Sequence, residues 1–313
     1  MAGIQIDGVN NKIDFDDDQD TSISANTDDT LQVEVGGASI ATMTASTVVF
    51  NEASADVDFR VESNGNANML FVNGGTDRVG IGETTPLGTL HVRTADTGAS
   101  VQNDANELVL EQNGACGLTI LSANNAGGNI FFGDAQDNDV GRISYGHVSN
   151  TMEFRSNATT FLSADADGHV TMPKQSSFRV QPSSEQTNIS VDAWNTIAFG
   201  TEAVDTNGDF ASNTFTAPVT GTYALSGAMY LQNLDSAAST YQVQIHTSND
   251  SYSILVIVPA QLLSADTQYY AFAGAVFADM DASDTAIIRI YQEGGTAQTD
   301  INVSTVFTGH LLG

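Results

Sequence analysis

The chain has 313 residues, 38 acidic and 9 basic, for a formal net charge of −29. So few cations exclude nucleic-acid binding by phosphate neutralisation and attachment to an anionic membrane through a polybasic patch. No apolar run approaches the ~20 residues that span a bilayer. The opening MAGIQIDGVNNK lacks a charged start followed by an apolar core, so synthesis in the cytoplasm without a signal peptide is expected.

Hydrophobic residues make up 41% of the chain and charged residues only 15%, against the ~25% of a typical globular domain. The polar surface is therefore built from Asn, Gln, Ser, Thr and Gly, with lysine only at Lys12 and Lys174. With 28 glycines and 5 prolines, the composition favours strands and turns. The single Cys116 excludes an intrachain disulfide. It stands between glycines with no histidine nearby, and fits a tight turn or interface better than a catalytic thiol.

From Ile4 to about Pro173 one theme returns. A short alternating run is followed by Gly, Asn or Asp and then by another run. Examples are Thr30–Val35 before Gly36–Gly37, Asn68–Val72 before Asn73–Gly75, Leu108–Gln112 before Asn113–Gly114, and Asn150–Arg155. Such runs predict strands and hairpins. Each offers only two or three large apolar residues, so this half is expected to gain stability by stacking repeats or by winding chains together. No heptad pattern predicts a coiled coil. The predicted organisation is an N-terminal β segment over 1–60, a repeated β-layer stalk or shoulder over 61–176, and a head over 177–313.

Two acidic turns fall in the first two regions. Asp14-Phe-Asp-Asp-Asp-Gln-Asp20 makes Asp14, Asp16, Asp17 and Asp18 weak Ca²⁺ candidates, and Asp165 and Asp167 form a second short pair. Neither has the terminal Glu of an EF-hand loop, and solvated acidic turns are the favoured reading, so no metal site is assigned. Gly80 and Gly82 do not make a dinucleotide loop, because Thr85 stands where a third glycine is needed and Pro86 follows in place of a helix. His91, His147, His169, His246 and His310 are dispersed, with no metal-binding spacing.

From about Ser177 the strands lengthen. Gly221–Gln232 alternates with Tyr223, Leu225, Met229 and Leu231 on one face, and Thr240–His246 sets Tyr241, Val243 and Ile245 against Gln242, Gln244 and His246. Ser251–Val258 is nearly all apolar and predicts a strand covered on both faces. Further strands are expected over 268–278, 286–291 and 301–312. About eight antiparallel strands in this length indicate a sandwich or jelly roll.

Two stretches carry resemblances. Phe215-Thr-Ala-Pro-Val-Thr-Gly-Thr-Tyr-Ala-Leu225 and the ending Phe307-Thr-Gly-His-Leu-Leu312 resemble the signature and last strand of the C1q/TNF-like jelly-roll family, with Leu225 and His310 where aromatics are common. The resemblance covers about 182–313 and implies a homotrimeric, non-enzymatic recognition head. Asp77-Arg-Val-Gly-Ile-Gly-Glu-Thr-Thr-Pro-Leu-Gly-Thr-Leu-His-Val92 resembles a segment common in bacteriophage tail fibres. Gly80 and Gly82 there suit a tight turn or close approach of neighbouring chains.

The fold expected is all-β, an elongated homotrimer with repeated β-layers and a C-terminal C1q-like jelly-roll head. The function expected is that of a phage tail fibre acting as a trimeric receptor-binding protein. Its partners would be itself, other virion proteins through the N-terminal region, and a host-surface receptor such as a glycan. It would be located on the virion, made in the host cytoplasm, with no cofactor, no nucleic acid and no membrane insertion. Two alternatives are a structural virion fibre, capsid-decorating or baseplate-associated, and a short tailspike glycan hydrolase. Contact is expected from head loops 233–240, 247–252 and 293–300, with Tyr230, Asn233, Asp235, Asn249, Asp250, Tyr252 and Glu293 as candidates. Three copies would carry 3 × −29 = −87, which predicts a protein stabilised by salt.

Overall fold

The computed structural model describes residues 4–51 and 54–313. These are strands and turns apart from a 3₁₀ turn at Asn103–Ala105 and the short helix α1 (Pro259–Leu262). No helix among the described residues is long and apolar enough to cross a membrane. The chain divides into two compact units, 1–119 and 120–313.

The first unit opens with a six-stranded antiparallel meander, β1 (Gln5–Asp7), β2 (Lys12–Asp14), β3 (Ser22–Ser24), β4 (Leu31–Val35), β5 (Ala38–Met43) and β6 (Val48–Phe50). Its turns follow local chemistry: the Asp7 carboxylate accepts the Val9 N–H at 2.9 Å, and Asn11 takes a positive φ, which Asn tolerates. The register places Ile6, Ile13, Ile23, Val33, Ala41 and Phe50 in one row across all six strands.

A second sheet follows with β7 (Phe59–Val61), β8 (Leu70–Asn73), β9 (Arg78–Ile81), β10 (Leu90–Arg93) and β11 (Leu108–Glu111). The first three pair antiparallel, whereas β9–β10 and β10–β11 are parallel. The eight residues 82–89 between β9 and β10 are fewer than the dozen a parallel crossover usually needs. Gly80 and Gly82 make this possible. A Cβ at Gly80 would collide with the Glu83 carbonyl and stand 3.3 Å from Pro86 Cγ, and one at Gly82, where φ is +77°, would meet the Arg93 carbonyl. Of the two roles read for these glycines, a tight turn or close approach of neighbouring chains, the structure shows the tight turn of the chain's own return loop. Here too an apolar row crosses the sheet: Phe59, Val72, Val79, Leu90 and Leu108.

In the second unit β12 (Gly127–Phe132), β13 (Gly141–Gly146), β14 (Thr151–Ser156), β15 (Thr159–Ala164) and β16 (Val170–Thr171) form another antiparallel meander. Ile130, Ile143, Phe154 and Leu162 make its row.

A two-sheet sandwich follows, from β17 (Ser177–Gln181), β18 (Trp194–Thr196), β19 (Thr201–Asp205), β20 (Phe210–Ala211), β21 (Thr214–Thr216), β22 (Gly221–Leu234) and β23 (Thr240–Thr247) to β24 (Ser251–Ile257), β25 (Thr267–Met280), β26 (Thr285–Glu293), β27 (Asp300–Ile301) and β28 (Val306–Leu311). One sheet has the order β19-β17-β28-β22-β25 with β27 beside β22, and the other β20-β21-β26-β23-β24 with β18 beside β26. From β21 onward the chain switches sheets at β22, β23, β25, β26 and again before β28, the interleaving of a jelly roll.

Alternation decides what is buried. Tyr223, Leu225, Met229 and Leu231 of one sheet pack in a single core with Tyr241, Val243, Ile245 and Ile288 of the other. Phe178 stacks on Phe215 at 4.7 Å and meets Phe307 edge-on at 4.9 Å. The two sequence motifs therefore supply core residues. Within the first, the Tyr223 hydroxyl donates to the Val219 carbonyl at 2.7 Å.

Two sequence expectations change. The apolar run at β24 is covered on one face only: Tyr252, Ile254 and Leu255 pack on the core, but Val256 is 59% exposed. The strand expected over 301–312 is two, β27 and β28, divided by a turn in which the Thr305 N–H donates to the Asn302 carbonyl.

Candidate functional site

The chain comes into the sandwich at Ser177, opposite His310, and the C-terminal strand ends nearby, with Leu311 beside Tyr223 at the start of β22. This is the near end. The far end holds the end of β22, the start of β25 and β27, since Leu234 faces Thr267 and Gln232 faces Asp300. The short connection from β22 puts the start of β23 there as well, with Glu293 opposite Thr240.

The seven candidate contact residues do not form one surface. Asn233, Asp235 and Glu293 lie at the far end, whereas Asn249 and Asp250 follow β23 at the near end, about 23 Å away at ~3.3 Å per residue. Asn249 lines a shallow depression there with Thr220 and Gly313. Tyr252 is half-buried against the core. Tyr230 stands on the outer sheet face, its ring 5.8 Å from that of Tyr269. Asp235 is buried and organises its loop: its backbone N–H donates to the Tyr241 hydroxyl at 3.0 Å, and its carboxylate accepts the N–H groups of Ala237 and Thr296.

A polar depression of about 610 Å³ occupies the far end, lined by Thr187, Asn188, Asn233, Asp266, Thr267, Gln268, Gln298 and Asp300. Asp300, 8% exposed, anchors it. Its Oδ1 accepts the Asn188 N–H and its Oδ2 the Asn233 side-chain amide, both at 2.7 Å. Asp266 Oδ1 accepts from the Ser236 N–H at 2.9 Å and hydroxyl at 2.7 Å, and its Oδ2 accepts from Gln298 Nε2 at 3.0 Å. The Gln298 hydrogen bond, followed by the two from Ser236, holds the Asp266 carboxyl down at about 2. Asn233 reaches its position through a φ of 52°. Of the eight lining residues only Asn233 was singled out by the sequence. Gln298 and Asp300 fall in a loop it named, and Asp266 carries no local signal.

The acidic turns fold partly as expected. Asp16, Asp18 and Asp20 bring one carboxylate oxygen each close together, and Asp165 and Asp167 do the same beside a ring nitrogen of His169, so Asp20 and His169 join clusters the sequence did not give them. Asp14 instead is buried and paired to Lys12 at 2.8 Å, and Asp17 lies outside the cluster. The Asp165 carboxylate is already used by its own turn, accepting from the His169 ring at 3.0 Å and from the His169 and Asp167 N–H groups. These bonds, the His169 ring first, lower its pKa.

The parallel pairing in the first unit buries a polar cluster that dispersed histidines do not announce. His91 is fully buried, with Nε2 3.1 Å from Glu111 Oε2. Its Nδ1 accepts the Leu87 N–H at 3.3 Å, while Nε2 faces the Glu111 carboxylate without an aligned hydrogen bond. Glu111 Oε1 accepts the Thr97 N–H and hydroxyl, each at 2.7 Å, which lowers the Glu111 pKa. Glu83 pairs with Arg93. Burial pushes Glu83 up, but the Thr85 hydrogen bonds and Arg93 outweigh it and leave it below its ordinary value. Each group is turned inward onto a partner, as in a structural tie between strands.

Fold and site define an all-β protein with a C-terminal jelly roll and a polar depression at its far end. The chain is similar to the globular domain of zebrafish complement 1qA protein, with 15% identity over 45% of this chain and 98% of that one and a TM-score of 0.33. It is similar also to crystal structures of murine APRIL at pH 8.0 and pH 8.5, each with 10% identity over 44% of this chain and 100% of that one and a TM-score of 0.32. The jelly-roll assignment rests on the strand order above. No protein-family model and no curated protein matches the chain.

Proposed function

We propose that the protein is a trimeric fibre of the bacteriophage tail type, whose head binds a receptor on the host surface and performs no reaction. One observation carries the association. Four successive sheets each present a patch of uncharged, mostly apolar residues that stays partly exposed in the single chain. In the three single-layer sheets these are the rows through Ile13 and Phe50, Phe59 and Leu108, and Ile130 and Phe154. In the sandwich it is the outer face where Ala224, Ser226, Ala228 and Tyr230 stand opposite Phe277, Ala275, Ala273 and Ala271, with Phe277 73% exposed. Copies that each carry −29 can approach only across uncharged surface, so the occupant that fits these faces is a second and third copy of the same chain. Contiguous exposed apolar surface of this kind marks interaction sites.

Receptor binding draws support from the far-end depression, which lies away from the point where the chain comes into the sandwich. Three such sites on one support would raise avidity through effective concentration. Light scattering of the full chain at micromolar concentration is expected to give about 98 kDa, three times 32.8 kDa; a monomer would refute the association. Fluorescent full-chain protein is expected to label cells of a susceptible bacterial strain. Labelling of none in a broad strain panel would turn the reading toward a fibre that contacts other virion proteins. Incubation with host polysaccharide is expected to release no reducing ends.

A further inference from the structure

We propose that the far-end depression is a binding site for a neutral, hydroxyl-rich ligand, a glycan without carboxylate, sulfate or phosphate groups. The inference rests on the receptor-binding reading and names the class of receptor. The depression falls within the ~300–1,000 Å³ of small-molecule sites, but its lining is amide, hydroxyl and carboxylate rather than apolar. No lysine or arginine lines it, so an anionic ligand would meet Asp266 and Asp300 with nothing to offset them, at a cost in like-charge repulsion.

The acceptor count points the same way. A carboxylate offers about four lone-pair positions. Asp300 uses two of them on Asn188 and Asn233, and Asp266 uses three on Ser236 and Gln298. Two charged acceptors, fixed in place by neighbouring connections, thus keep free positions for donors from outside. Sugar hydroxyls supply donors at the spacing of adjacent ring carbons and also accept from side-chain amides. The side chains of Thr187, Asn188, Thr267 and Gln268 carry no internal hydrogen bond among the described residues and supply those complementary groups. Hydrogen bonds to charged acceptors are the stronger kind, so the ligand is held by preorganised polar geometry.

The test is isothermal titration and saturation-transfer NMR of the full chain against neutral probes (lactose, maltotriose, mannotriose, chitotriose) and acidic ones (sialyllactose, a hyaluronan tetrasaccharide), with cell labelling alongside. At least one neutral probe is expected to bind, and no acidic probe to bind comparably. Asp266→Asn and Gln268→Arg are expected to weaken binding about tenfold or more. Gln268 is exposed and carries no internal bond, so that variant keeps the fold, while Asn249→Ala at the near end leaves binding unchanged. Preference for acidic probes, or neutral binding indifferent to both far-end variants, would overturn the site. Cell labelling without binding of any neutral probe, and unchanged by Gln268→Arg, would overturn it while leaving receptor binding in place. Loss of both labelling and sugar binding would remove the two readings together.

Discussion

Gly309, in the last strand, is the position where one added methyl group tests the packing of the head. A Cβ there would stand 2.7 Å from Leu225 Cδ2 and 2.8 Å from Phe178 Cζ, contacts that real side chains do not sustain. Phe178 cannot swing aside, since Phe215 stacks on it at 4.7 Å, Phe307 meets its edge at 4.9 Å and Phe210 lies 5.3 Å away. Leu225 is fully buried beneath β22. Overpacking in such a core costs about 1–3 kcal/mol, and in a domain of this size each kcal/mol lowers the melting temperature by ~2–4 °C. Gly309→Ala is therefore expected to melt roughly 2–12 °C lower in near-ultraviolet circular dichroism. Phe178→Leu makes room, so the double variant should melt higher than the two single losses add up to, with a coupling of about 1 kcal/mol or more. Unchanged melting of Gly309→Ala, or strict additivity in the double variant, would refute the explanation of this glycine.

Ala228→Glu, opposite Ala273 on the outer face, is expected to convert the trimer to smaller species in light scattering without altering the far-ultraviolet spectrum; a trimer of unchanged mass would place the interface elsewhere. Asp266 has a folded pKa below its ordinary 3.8, at about 2, so its contribution is present above the ordinary value and is lost as pH falls through about 2. A carboxyl-carbon NMR titration giving a midpoint near 4 would contradict its hydrogen bonds. The Glu83 and Glu111 pKa values are lowered likewise, so the first unit should lose stability as pH falls below the ordinary carboxylate range. Glu111→Gln should blunt that loss, as read by hydrogen exchange at Val109 and Leu110. Adding Ca²⁺ is expected to leave melting unchanged, and lowering salt to reduce it; the reverse of either would reopen the acidic turns or the charge argument.

The sandwich strands were legible because alternation is a local signal: Tyr223 to Leu231 and Tyr241 to Ile245 each declare their buried face within a few residues. The strand within 251–258 shows the limit, since composition cannot tell a strand covered on both faces from one whose outer face is open. The repeated runs of the N-terminal half were equally readable as strands, but not the order in which they pair. The parallel contacts that join His91 to Glu111 depend on a return loop whose room comes from Gly80 and Gly82. The depression was the least legible feature. Asn188 and Asp300 are 112 residues apart, and Asp266 meets Gln298 from a connection with no pattern of its own.

The division between the two ends of the sandwich has a consequence for how such a protein can change over generations. The far-end walls come from separate connections, at 182–193, 233–239, 263–268 and 294–300, while the phenylalanine cluster and the glycine beneath it sit on the strands. Substitution at the outward-facing positions of these connections can alter what the tip recognises while the core residues they also carry, Ile189, Leu234 and Ala238, stay in place. Besides those core residues, buried Asp235, Thr299 and Asp300 resist this freedom, because their hydrogen bonds tie the connections together and to Tyr241. Diversity should therefore accumulate around those anchors and spare them.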